Sequence, residues 1–78
     1  MGASTACATN RAANIPIAPA YQAQWQQCER SVENYCHEHA QGDPNHELDC
    51  ERQARRQFAE ADSDAARRAA LAGHGCTL

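Results

Sequence analysis

The chain reads as an all-α protein, an antiparallel two-helix hairpin with an extended N-terminal segment and a short C-terminal tail. Three observations predict this. Apolar residues recur three or four apart, at helical spacing, on both sides of a single turn. That turn, Gly42-Asp43-Pro44, joins a helix-ending glycine to a helix-starting Asp-Pro pair. Around it the metal-binding residue types stand in mirror order, Cys36 and His39 before it and His46 and Cys50 after it.

Residues 1–18 are small and polar up to Ile15-Pro16-Ile17-Ala18-Pro19. Two prolines three apart oppose helix and favour an extended run, with Ile15 and Ile17 as its anchors. Pro19 suits the first turn of a helix, and the stripe Tyr21, Trp25, Cys28, Val32, Tyr35/Cys36, His39 continues one face over about 19–40. The opposite face carries glutamines, Glu29, Arg30, Glu33 and Asn34. Gly42 fits the left-handed position after the last turn.

Asp43 is placed to cap the next helix and Pro44 to open it. The second stripe runs His46, Cys50, Ala54, Phe58, Ala61, Ala65, Ala69, Ala72, and predicts one helix over 44–72 ended by Gly73. Asp62-Ser63-Asp64 has the composition of a cap for a separate third helix, but the stripe stays in phase across it, so a continuous helix is expected. Glu51–Arg55 and Asp64–Arg68 are favourable pairs four apart. Folding the stripes about the turn opposes Val32 to Ala54, Cys28 to Phe58, Trp25 to Ala61 and Tyr21 to Ala65, large against small. Residues 73–78 are expected as a mobile polar tail.

Seventy-eight residues allow one small domain. Hydrophobic residues make up 42%, mostly Ala and Cys. At roughly 25 cal/mol per Å2 of buried apolar surface, such a core barely offsets the ordering entropy of so short a chain. A covalent staple, a metal or a partner is therefore expected. A net charge of −3 and a pI near 5.7 oppose a phosphate-binding surface, so no nucleic-acid partner is expected. All seven basic residues are Arg, and five lie between Arg52 and Arg68 among acidic neighbours, the pattern of a solvated helix face.

Five cysteines in so short a chain favour an oxidising compartment or a metal site, and leave one thiol over. Three readings of Cys36 and Cys50 stand side by side. They pack as small hydrophobes, they form a disulfide at the closed end, or they join His39 and His46 in a Cys2His2 set for zinc or another transition metal. Cys7 and Cys76 lie beyond the open end and are expected as a second disulfide, leaving Cys28 as the odd thiol. His37 is expected to be solvated.

The arrangement resembles the twin Cys-x9-Cys helical hairpin of mitochondrial intermembrane-space proteins, whose antiparallel helices are joined by two disulfides. This chain departs from it. It has Cys28-x7-Cys36 on the first helix, only Cys50 on the second, and Phe58 where the second partner would stand. The resemblance implies a stapled two-helix unit and no more.

No nucleophile–base pair or separated acid–base pair emerges, and Cys-x2-Cys-His is absent, so an enzyme is not expected. No cofactor is expected unless the zinc reading holds. Thr5-Ala6-Cys7 resembles the small-residue end of a bacterial lipoprotein signal, with Ser4 where that signal usually has Leu. Membrane contact is expected only if Cys7 is lipidated. If Met1 is not the native start, a periplasmic or extracellular site follows; otherwise a cytoplasmic one. Cys28, Tyr35, Leu48 and Leu71 lie unpaired or beside the stripes and are the candidate interface for a protein partner or a second copy. The expectation is a non-enzymatic interaction or structural accessory subunit.

Overall fold

A computed structural model describes residues 15–78. They form a short 3-10 turn, Pro19–Tyr21, and three helices: α1, Gln22–Ala40; α2, Pro44–Glu60; and α3, Asp64–Ala72. No strand occurs among the described residues.

The segment before Pro19 is tied down at both isoleucines. Ile17 is buried at 6% exposure and its carbonyl accepts from Gln22 Nε2, while the Ile15 carbonyl accepts from Arg55 Nε on α2. The α1–α2 turn follows the local signals. Gln41 and Gly42 both take positive φ, 53° and 86°, which reverses the chain within two residues. The Asp43 carboxylate then accepts from the backbone N–H groups of Asn45 and His46, capping α2.

The continuous second helix does not form. At Ala61 the backbone turns extended, with ψ 139°, and the chain restarts at Ser63, whose hydroxyl accepts from Ala66 N–H at 3.1 Å. The serine cap overrides the apolar phase. The reason lies in what each path buries. A straight helix would leave Leu71 beside the stripe. At about 1.5 Å rise per residue it would also carry Cys76 roughly 27 Å past the level of Cys28 and Phe58. The break turns α3 back onto the core. Ala65, Ala69 and Ala72, expected in the stripe, are exposed, whereas Ala70 and Leu71 are buried, at 7% and 0%.

Beyond α3 the tail is fixed rather than free. Cys76 N–H donates to the Leu71 carbonyl at 3.0 Å and Gly75 N–H to the Ala72 carbonyl at 3.4 Å, with Gly75 left-handed at φ 87°. This is a Schellman ending, and it brings Leu71 and Cys76 into the core together. Gly73, the expected stop, keeps a helical φ of −68°.

The core is small: Ile17, Trp25, Cys28, Val32, Cys36, Ala54, Phe58, Ala70, Leu71 and Cys76. Trp25 meets Phe58, ring centroids 5.5 Å apart. At the open end Tyr21 lies under the Arg67 guanidinium, 3.7 Å from the ring centroid, so an arginine takes the place expected for Ala65.

Candidate functional site

The four described cysteines are all paired. Cys36 in α1 is bonded to Cys50 in α2, with their Cα atoms 5.5 Å apart across the closed end of the hairpin. Cys28 in α1 is bonded to Cys76, Cα atoms 5.6 Å apart. The expected pairing of Cys76 with Cys7 and the expected free Cys28 are thereby corrected. The fold-back at Ala61 delivers Cys76 to α1, which the straight helix did not. Cys7 lies outside the described residues.

The two bridges differ in their surroundings. Cys28 is 0% exposed and Cys76 7%, both within the apolar core. Cys36 is also fully buried, but Cys50 is half-buried and looks onto an open groove of about 450 Å3. Tyr35, Cys36, His39, His46, Cys50 and His74 line it, as do Asp43 and Asp49.

Helix geometry places each of these groups. His46 and Cys50 are one turn apart on α2, and Tyr35, Cys36 and His39 occupy the last turns of α1. The His39 ring stacks on Tyr35 with centroids 4.0 Å apart, and its Nδ1–H donates to the Tyr35 carbonyl at 2.8 Å. His74 meets Tyr35 edge-on at 5.9 Å and donates through Nδ1–H to the Ala70 carbonyl at 2.8 Å. A carbonyl accepts only from a protonated nitrogen, so in the neutral form of both rings Nε2 carries the lone pair. His74 belongs to the segment expected to be a mobile tail; sequence spacing holds no sign that it joins this groove.

The Cys2His2 set does not assemble as a ligand cluster. The two sulfurs are bonded to each other, His39 is drawn onto its own helix, and His46 is exposed. Among the described residues no group of three or more His, Cys, Asp or Glu side chains is placed to hold a metal ion. His37, expected to be solvated, faces Glu47 across the turn, Nδ1 to Oε1 3.2 Å, with most of its ring in solvent.

Of the expected interface residues, Leu71 and Cys28 are buried inside the chain, and Tyr35 and Leu48 are half-buried. Tyr21 and Leu78 are the large apolar residues most exposed, at 38% and 46%. Asp64, the first residue of α3, binds Arg68 at 2.6 Å; this hydrogen bond holds its carboxyl below the usual aspartate range, opposed by desolvation and helped by the charges of Arg68 and Arg67 and a hydrogen bond from Gln24.

Fold and cysteine pairing define the class: a small all-helical protein stapled by two disulfides. Comparison with protein-family models, curated proteins and solved structures finds no match. The bridges suggest an oxidising compartment. Among the described residues no helix is long and apolar enough to cross a membrane.

Proposed function

We propose that the chain is a non-enzymatic, disulfide-stapled helical module that works by protein contact, as an interaction or structural accessory subunit in a periplasmic or extracellular setting. The observation that carries this reading is the cross-linking itself. Both cysteines of α1 are tied, one to α2 and one to the end of α3, so three short helices around a thin core are held in one arrangement. A fixed surface on a small scaffold suits recognition, because little ordering entropy remains to oppose binding. Tyr21, Tyr35, Leu48 and Leu78 are the apolar side chains available to a partner or a second copy.

Sedimentation of the oxidised chain at micromolar concentration tests the self-association arm. A dimer, or a thermal transition that rises with protein concentration, supports it. A monomer with a concentration-independent transition transfers the reading to a separate partner protein. That arm is tested by crosslinking the oxidised chain in its native extract. Recovery of no adduct through the Tyr21 or Tyr35 surface would reject partner contact.

A second reading rests on one feature, that Cys36, His39, His46 and Cys50 line the same groove. In a reducing compartment the opened bridge would offer two thiolates beside two imidazoles, a zinc donor set. Intact mass of native protein, with and without reductant and chelator, separates the two. A chain four protons lighter than its reduced mass supports the staples, and one zinc with Cys36 and Cys50 free supports the metal.

A further inference from the structure

The two disulfides stand in contrasting environments, and we infer that they have separate roles. Cys28–Cys76 is structural, whereas Cys36–Cys50 is a thiol–disulfide exchange site for a cysteine pair on another polypeptide. This goes beyond the stapled-module reading and depends on it only for the oxidised state of the chain.

Access decides which bridge reacts. Exchange requires a thiolate to approach one sulfur along the axis of the bond. Cys28 and Cys76 are 0% and 7% exposed within the apolar core, and the Cys76 N–H closes the Schellman turn. Cys36 and Cys50 both line the open groove, but Cys36 is 0% exposed whereas Cys50 is half-buried. Of the two bonded residues, Cys50 is therefore the one that an incoming thiolate can reach. The groove, about 450 Å3, can take an extended peptide side chain and its neighbours. Its wall holds three imidazoles, those of His39, His46 and His74. Of the two carboxylates lining it, Asp43 already caps α2.

The step balances with the partner dithiol as reductant. Its first thiolate attacks Cys50 Sγ; the Cys36–Cys50 bond breaks, and the electron pair leaves on Cys36 Sγ, which takes a proton from the groove. The partner's second thiolate attacks the mixed disulfide, and Cys50 leaves as a thiolate and is protonated. This chain gains two electrons and two protons, and the partner is oxidised to a disulfide. One exchange per chain suffices, so no catalytic turnover is implied. The fold survives because the Cys28–Cys76 bridge and the core still tie α1 to the C-terminal segment, so the exchange is reversible.

The test uses the full oxidised chain and a short Cys-x-x-Cys peptide in its dithiol form, with timed alkylation and peptide mapping. Cys36 and Cys50 should become alkylated at least tenfold faster than Cys28 and Cys76, with helical circular dichroism retained and the peptide recovered as its disulfide. Opening of both bridges at one rate, or of Cys28–Cys76 first, would overturn the inference. In a Cys7→Ser background, Cys36→Ser and Cys50→Ser each leave one groove thiol. Cys50 should form a mixed disulfide with glutathione disulfide at least tenfold faster than Cys36 does, and equal rates would reject Cys50 as the point of attack. None of these outcomes depends on whether the chain self-associates, so the module reading stands or falls separately.

Discussion

Gly75 is the residue with the least freedom to change. Its φ of 87° is costly for any side chain, and a Cβ there would lie 2.8 Å from the Tyr35 Cβ. Gly75→Ala should destabilise the chain by about 1–3 kcal/mol, read from the shift in urea midpoint, and should slow formation of Cys28–Cys76 on reoxidation. Gly42 differs from it. It shares the left-handed backbone, φ 86°, but a Cβ there would meet nothing within 4 Å, so Gly42→Ala carries the backbone term alone and should cost less than Gly75→Ala. Asp64 sets a pH dependence. Its folded carboxyl is held below the ordinary aspartate range by the Arg68 hydrogen bond, so its contribution is present above about pH 4 and is lost as pH falls through the lower folded value. The stability difference between wild type and Asp64→Asn should therefore shrink on acidification and also with added salt, because both partners are exposed. A difference that stays constant from pH 7 to strongly acid solution would show that the pair contributes nothing.

At the scale of elements, the caps carry the argument. Ser63 accepts from Ala66 N–H at the start of α3, and Asp43 accepts twice at the start of α2. Ser63→Ala should cost about 0.5–2 kcal/mol. Its effect should be local, with amide exchange quickening in α3 before α2. Uniform quickening in both helices would mean that α3 has no independent stop. The cap signals of both helices were legible in the sequence because a cap is a local feature, a side chain reaching backbone two or three residues on. The choice between a cap at Ser63 and an unbroken stripe was not legible. Alanine fits either path equally well, so Ala61, Ala65, Ala69 and Ala72 hold the phase without any packing need to keep it.

For the whole molecule, the disulfides divide the stabilisation. The chain-entropy model assigns about 3 kcal/mol to a bridge spanning 14 residues and about 4 kcal/mol to one spanning 48. Cys28→Ala with Cys76→Ala should therefore destabilise more than Cys36→Ala with Cys50→Ala. The first pair also takes atoms from the core at both residues, the second at Cys36 alone, since Cys50 is only half-buried. Equal losses in denaturant melts would show that the tail contributes little to the fold. The candidate site follows the same division. That Cys36 and Cys50 stand level was legible, because they lie on either side of a short turn with defined caps. That His74 joins the groove and Cys76 the core was not, because both depend on the direction of the chain after Ala61.

The sequence by itself determined the helical class, the Gly42-Asp43-Pro44 turn, the two isoleucine anchors and the nearness of Cys36 to Cys50 across the closed end. All of these are set by neighbours a few residues apart or by helix period. Only the tertiary structure decided the number of helices, the partner of Cys28 and the burial of Leu71. The physical reason is one backbone angle. An extended ψ at Ala61 swings the last helix round, and whether it forms is settled by the burial of Leu71 in the core and the bond of Cys76 to Cys28, residues distant in sequence that meet only after the turn is made.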